Sequence, residues 1–220
     1  MSKLFYVMGA SGVGKDSLLG YVREGVRKGV RENAGENVKE SAKENIQKNN
    51  GLMFAHRYIT RPADAGGENH IALTHQEFLQ RSRHRCFAMS WQSHGNWYGI
   101  GSEVDQWLEQ GLNVVVNGSR DYFSSAAARY PNIVPVLIAA DKDRLLDRLL
   151  KRGRENQEDI ERRLHVSEST VGKLKHPALV VIENNGELAV AGETLMNLLT
   201  CIEPNTISSS SVNKTSKVRA

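Results

Sequence analysis

The chain has 220 residues, 40% of them apolar, 25% charged and 6% aromatic, which suits one globular core and excludes a wholly disordered chain. Its two cysteines, Cys86 and Cys201, exclude a disulfide framework or a paired-cysteine zinc site, and no apolar run approaches the roughly 20 residues of a membrane helix. The net charge of +4 resides in residues 23–50 and 203–220, each with a surplus of two basic groups, so the body carries no basic stripe for nucleic acid.

In chain order, Leu4–Met8 reads as a buried strand, followed by a helix from Asp16 to about Val30. Met53–Tyr58 reads as a second strand, then Thr74–Arg83 as a helix whose Thr74 and Glu77 have capping-box spacing. Val104–Glu109 is helical, Asn113–Val116 a strand, Tyr122–Arg129 helical and Ile133–Ala139 a strand. Helices at Arg144–Leu150 (with Asp141 as N-cap) and Ile160–Val171, a strand at Leu179–Ile182 and a helix at Leu188–Leu199 complete the series. The strands are near-continuous apolar runs, as a parallel sheet covered on both faces requires. Alternation of strand and helix predicts a layered α/β fold with right-handed crossovers.

Two segments depart from this pattern. In residues 25–50 small apolar side chains recur every four residues, continuing from Val22 through Val26, Val30, Ala34, Val38, Ala42 and Ile46. Each step overshoots a helical turn by about 40°, so the stripe winds around the axis and has no single face to bury. The segment reads as a tolerated, partly helical, low-complexity insertion, with a membrane or partner helix as the alternative. Joining Glu24 to Gly51 is expected to leave folding largely intact. Residues 203–220 have the composition of a disordered tail.

Chemistry is concentrated at Gly9-Ala10-Ser11-Gly12-Val13-Gly14-Lys15, a GxxxxGK segment between a strand and a helix. Glycines let backbone N–H groups close around phosphate oxygens, the helix N-terminus adds partial positive charge, and Lys15 reaches the β- and γ-phosphates. The first glycine comes so early that no room is left for a signal peptide; a cytoplasmic protein is the expectation. The hydroxyl that usually follows the lysine as a magnesium ligand is replaced by Asp16, with Ser17 next. Asp16 reads either as a helix-start acid favoured by the dipole or as a carboxylate for Mg²⁺. The strand 114–116 is followed by Asn117, so the usual acidic partner at a strand end is missing too.

Three runs carry a family resemblance: AHRYITRPADAGGENHIAL, FAMSWQSHGNWYGIGSEVDQWLEQGLNVVVNGSR and RLLKRGRENQEDIERRL. With the phosphate loop they resemble the guanylate-kinase branch of P-loop kinases, and within it the ribose 1,5-bisphosphate phosphokinases, over roughly residues 3–24 and 52–200. The resemblance implies a P-loop NTPase fold: a five-stranded parallel sheet between helices, a small acceptor-binding subdomain (57–101) and a helical lid (148–163), in a domain of residues 1–202. It implies that Arg61 and Tyr98 clamp an acceptor phosphate, that Glu68 and His70 lie beside them, and that Arg148, Arg152 and Arg163 fold over the transferred phosphoryl group. The family's second loop arginine is Asp64 here. Its guanine-reading positions hold Arg57, Met89, Ile100, Asn117 and Ser119, which withdraws or changes each hydrogen-bonding group.

Arg57 adds positive charge, so the implied acceptor is a small-molecule sugar bisphosphate without a base. The expected reaction is ATP- and Mg²⁺-dependent phosphorylation of ribose 1,5-bisphosphate, with Lys15, Asp16 and the lid arginines as its catalytic groups and residues 9–17 as the nucleotide site. A guanylate kinase and a non-catalytic binding domain of the same shape are the alternatives.

Overall fold

The computed structural model describes residues 1–32, 51–65, 68–152 and 174–200. Its centre is β1 (Leu4–Gly9), an apolar strand with residues 4–8 all buried. β1 is flanked in parallel by β7 (Asn113–Asn117) on one side and β8 (Ile133–Ala139) on the other. Parallel strands β2 (Leu52–Phe54) and β9 (Val180–Glu183) complete the order β2-β7-β1-β8-β9. The layered α/β arrangement expected from the alternating pattern, and the five-stranded parallel sheet that the resemblance implies, are present.

Between these strands run α1 (Lys15–Glu32), α3 (Glu103–Glu109), α4 (Phe123–Arg129), α5 (Lys142–Arg152) and α6 (Leu188–Thr200). The sheet separates two apolar clusters. Phe5, Val7, Val115, Val136 and Ile138 pack on one side with Leu18, Val22, Leu145, Leu149 and Leu195 from α1, α5 and α6. Tyr6, Met8, Val114, Val116 and Leu137 pack on the other with Val104, Phe123 and Ala126 from α3 and α4. Alternation along β1 thus feeds both layers, which is why its sequence is apolar at every position.

A second sheet of four strands, β4-β3-β6-β5, is built from β3 (Arg57–Ile59), β4 (Ile71–Ala72), β5 (Phe87–Ser93) and β6 (Asn96–Gly101). The helix α2 (His75–Arg83) packs on it through Phe78, whose ring stacks on Phe87 at 4.6 Å. Thr74 and Glu77 form the expected capping box. The β5–β6 hairpin closes through His94 (φ 48°) and Gly95 (φ 75°). Two positive φ angles in a two-residue loop match the twist of the flanking strands.

The single strand expected at Met53–Tyr58 is two strands in different sheets. β2 pairs in parallel with β7, whereas β3 pairs antiparallel with β6. No glycine or proline marks the break in LMFAHRYI; the choice of partner strands makes it. Boundaries elsewhere move by a few residues, and α1 is the consequential case. It continues to Glu32, so the boundary expected at residue 25 falls inside a helix. Val22 is fully buried and Val26 packs on the same core cluster. Gly25 lies so close to Met196 of α6 that a Cβ there would collide with its methyl group.

Residues 33–50 of the expected insertion, the helix at 160–171, the lid beyond Arg152 and the tail lie outside the described residues. Among the described residues no helix is long and apolar enough to cross a membrane.

These packing contacts reverse the expectation for the 25–50 excision. A chain in which Glu24 is joined to Gly51 loses Val26 and uncovers Met196, and should be destabilised by about 1–3 kcal/mol. Val26→Asp, which puts a carboxylate in the same place, should lower the denaturation midpoint in the same direction. Urea unfolding of both proteins against the parent checks this; unchanged midpoints would show that α1 needs nothing beyond Glu24.

Candidate functional site: a phosphate loop facing an arginine-lined cavity

The phosphate loop leaves β1 at Gly9 and enters α1 at Lys15. Gly12 (φ 87°) and Gly14 (φ 93°) adopt left-handed backbone conformations open mainly to glycine. A Cβ on Gly14 would meet the amide of Asn184, and one on Gly12 the side chains of Leu145 and Leu149. The loop is also held from behind. The carbonyl of Val13 accepts hydrogen bonds from Asn184 Nδ2 (2.8 Å) and Arg148 Nη1 (3.2 Å). Arg148 Nη2 donates onward to the Asn184 carbonyl at 2.8 Å. Val13 itself points into the core and is 1% exposed, so its place in the site is a backbone one.

In front of the loop lies a cavity of about 210 Å³. Gly9, Ala10, Ser11, Gly12, Gly14, Lys15 and Asp16 form one wall. Arg57, Tyr98, the hairpin tip Ser93–His94 and the turn 118–121 after β7 form the other. Lys15 Nζ donates to the Gly9 carbonyl at 3.3 Å. Tyr98 stacks on Trp91 with ring planes 4° apart, and the Arg57 guanidinium sits 5.3 Å from the Tyr98 ring centroid. Ser17 lies on the opposite side of the loop, in a hollow of about 360 Å³ shared with Arg148, Lys151, Asn184 and Gly186.

Arg57 is the centre of a buried polar cluster. Its Nε donates to Glu68 Oε1 at 2.9 Å, its Nη2 pairs with Glu68 Oε2, and Asp16 Oδ1 lies 3.9 Å from Nη2. The Arg57 and Glu68 side chains are 15% and 9% exposed. Asn117 Nδ2 bridges the two acids, donating to Asp16 Oδ1 at 2.8 Å and to Glu68 Oε2 at 3.3 Å. Burial pushes the Arg57 pKa down, Asp16 and Tyr98 raise it, and the neighbouring Arg61 charge lowers it. The cluster explains Asn117: an aspartate at this strand end would face two carboxylates, whereas an amide donates to both.

The structure therefore redistributes the residues singled out in the sequence. Lys15, Asp16, Arg57 and Tyr98 share one cavity. Glu68 borders an adjoining hollow and is taken up by Arg57. His70 is not on the cavity wall: its ring nitrogens lie 3.2 Å from the carbonyls of Glu68 and Arg61, stapling the loop between them. Arg61 lines a separate hollow of about 490 Å³ with Thr60, Leu73 and His75. Arg148 lies behind the phosphate loop, where it donates to the carbonyls of Val13 and Asn184. Arg152 ends α5, and Arg163 lies outside the described residues.

Sequence reading missed four residues here. Asn184 follows β9 and its partner is 171 positions away. Ser93 and His94 reach the cavity only because the hairpin folds over it. Arg120 follows Asn117 in NGSRD and enters the wall by the path of the turn. The positive φ at His94 was not visible, though the HG pair before an aromatic strand is a hairpin signal.

The residues present suit a magnesium ion only as part of a larger complex. Among the described residues no group of three or more His, Cys, Asp or Glu could hold a metal. Asp16 alone supplies a carboxylate on the cavity wall, one-third exposed, with Oδ1 engaged by Asn117. That donor set matches Mg²⁺ held by one carboxylate, phosphate oxygens and water.

No protein-family model matches the chain. It is 51% identical over 197 residues to the ribose 1,5-bisphosphate phosphokinase of Psychromonas ingrahamii, covering 90% of this chain and 89% of that protein. It is 46% identical over 199 residues to the protein of that name from Desulfomicrobium baculatum, covering 90% and 95%. Among solved structures, guanylate kinase from Anaplasma phagocytophilum superposes with a TM-score of 0.57 at 13% identity, covering 90% of this chain and 84% of that one. That likeness shows the guanylate-kinase fold, and the identities decide the membership within it: the chain belongs to the ribose 1,5-bisphosphate phosphokinase family.

Proposed function

We infer that this chain transfers the γ-phosphoryl group of ATP to the 1-phosphate of ribose 1,5-bisphosphate, giving 5-phospho-α-D-ribose 1-diphosphate and ADP. The observation that carries the reading is the cavity itself. A phosphate loop and an acceptor wall with Arg57 and Arg120 enclose one space, and two of the positions that read guanine in guanylate kinases hold apolar side chains with no base-edge partner. Met89 and Ile100 are 1% and 0% exposed and packed in the core. Arg57 pairs in register with Ile100, and Ile100 with Met89, so the three form one row across the sheet. The Arg57–Glu68 pair closes its open end.

In the reaction an oxygen of the 1-phosphate bonds to the γ-phosphorus while the bond to the β,γ-bridging oxygen breaks, and ADP leaves with that electron pair. The attacking oxygen is already ionised at neutral pH, so the chain needs no general base. Backbone N–H groups of residues 9–15 cradle the donor's phosphates, and Lys15 stabilises charge on the transferring group. Asp16 would hold a bound Mg²⁺, which would supply positive charge to the donor's phosphates. Ser17, Arg148 and Asn184 shape the nucleotide side of the loop. Tyr98 positions the acceptor's reacting phosphate from the cavity wall; Arg61 lines its own hollow and would have to leave it to join Tyr98, and Arg152 and Arg163 are the further cations this reading assigns to the transferring group. The domain plan is the one this reading needs: a kinase domain over residues 1–202, with an acceptor subdomain at 57–101 and a lid at 148–163.

The first test concerns the phosphate loop. Lys15→Ala should lower kcat by about 10²–10³-fold. Asp16→Asn, which keeps the shape and the Asn117 contact, should raise the Mg²⁺ concentration for half-maximal rate by about tenfold or more. A magnesium titration overlaying that of the parent would assign Asp16 to the helix start alone.

The second concerns the acceptor. Coupled ADP release should be rapid with ribose 1,5-bisphosphate and weak with GMP, and Met89→Glu alone should not rescue GMP because the Arg57–Glu68 pair still fills the end of the row. Efficient turnover of GMP with none of the bisphosphate would make the protein a guanylate kinase.

A further inference from the structure

The cavity holds a cation that neither the phosphate loop nor the buried cluster accounts for. Arg120 lies in the turn between β7 and α4, on the wall facing Lys15. Its backbone is held on all sides. The Gly118 N–H donates to the Val7 carbonyl at 2.9 Å, continuing the β7 ladder, and the Tyr6 hydroxyl donates to the Ser119 carbonyl at 2.8 Å. The Asp121 N–H reaches Ser119 Oγ at 3.3 Å, and the Arg120 carbonyl accepts from the Phe123 N–H at 3.2 Å. Gly118 rests on the Tyr6 ring so closely that any Cβ would strike it. The turn is a rigid platform, the condition for a pre-organised site.

The guanidinium on this platform has no partner among the described residues. Among the described residues it forms no ion pair and no side-chain hydrogen bond. Burial pushes its pKa down, opposed by the charge of Asp121, which lies beyond salt-bridge distance. The other large cation of this wall differs: Arg57 is neutralised by Glu68 and Asp16. A half-buried, unpaired arginine is costly unless an anion meets it, and its planar fork matches a phosphate.

We propose that Arg120 is the ligand of the acceptor's non-reacting phosphate, the 5-phosphate of the sugar bisphosphate. This rests on the reaction inferred above, in which the 1-phosphate must turn toward Lys15 and leaves the second phosphate for the opposite wall. Arg57, assigned to that charge on sequence grounds, is instead the fixed partner of Glu68. Arg120 thus sets specificity for a doubly phosphorylated sugar, at the place in the wall where guanylate kinases turn toward a base.

Steady-state kinetics and calorimetry on Arg120→Ala and Arg120→Lys test this. Arg120→Ala should raise KM for ribose 1,5-bisphosphate by about 10- to 100-fold, with kcat within about threefold of the parent and Arg120→Lys in between. Affinity for a non-hydrolysable ATP analogue and the melting temperature should not move. Calorimetric titration with ribose 5-phosphate, which needs no turnover, should show the same weakening in Arg120→Ala. An unchanged KM, a fall in kcat alone, or a weakened ATP analogue would overturn the assignment, the last two by placing Arg120 on the transferring group or the nucleotide. A parent protein that binds ribose 5-phosphate through Arg120 yet does not phosphorylate the bisphosphate would overturn the reaction while keeping the phosphate site.

Discussion

One backbone carbonyl orders the catalytic half of the molecule. The Val13 C=O accepts from Asn184 and from Arg148, both arriving from the C-terminal side of the sheet. A peptide unit whose carbonyl is drawn backward presents the loop's N–H groups forward, which is the arrangement an anion needs. The same contacts tie the loop to the end of β9 and to α5, so the cradle is stiffened by elements that are far away in the chain. Gly12 and Gly14 are required on that account as well as for phosphate approach: their positive φ angles and missing Cβ atoms leave room for Leu145, Leu149 and Asn184.

The acceptor half is organised by a second constraint, the burial of Arg57. A guanidinium taken out of water needs both charge and hydrogen-bond partners. Glu68 supplies a two-point contact, Asp16 a nearby charge, and the Tyr98 ring a polarisable face. These come from three separate places, the first turn of α1, the loop before β4 and strand β6, and meet Arg57 on β3. The cluster therefore couples the phosphate loop to the acceptor sheet. It also stands at the end of the row that Met89 and Ile100 make apolar.

The resemblance to guanylate kinases and the structure meet at Asn117. In isolation the residue reads as the loss of a metal-binding acid. In the fold it is the donor that lets Asp16 and Glu68 approach each other, and its amide is 8% exposed. The two local departures from the common P-loop pattern, Asp16 and Asn117, are in direct contact.

The sequence by itself determined the layered α/β fold, the phosphate loop and the family. Those follow from local signals: continuous apolar runs for buried strands, a glycine spacing that only a phosphate cradle needs, and a capping box that starts α2. Lys15 and Asp16 were singled out by the glycine motif and Tyr98 by the family resemblance, and the fold brings the three to one cavity. What only the tertiary structure decided are the pairings between distant side chains. Nothing in RYITRP shows that Arg57 pairs with Glu68, nothing in RLLKRG that Arg148 holds a carbonyl 135 residues away, and nothing in NGSRD that Arg120 has no partner among the described residues. Likewise the division of LMFAHRYI between two sheets depends on which strands lie alongside. Propensity and periodicity act over a few residues, whereas the partner of a buried charge is chosen by the fold that removes it from water.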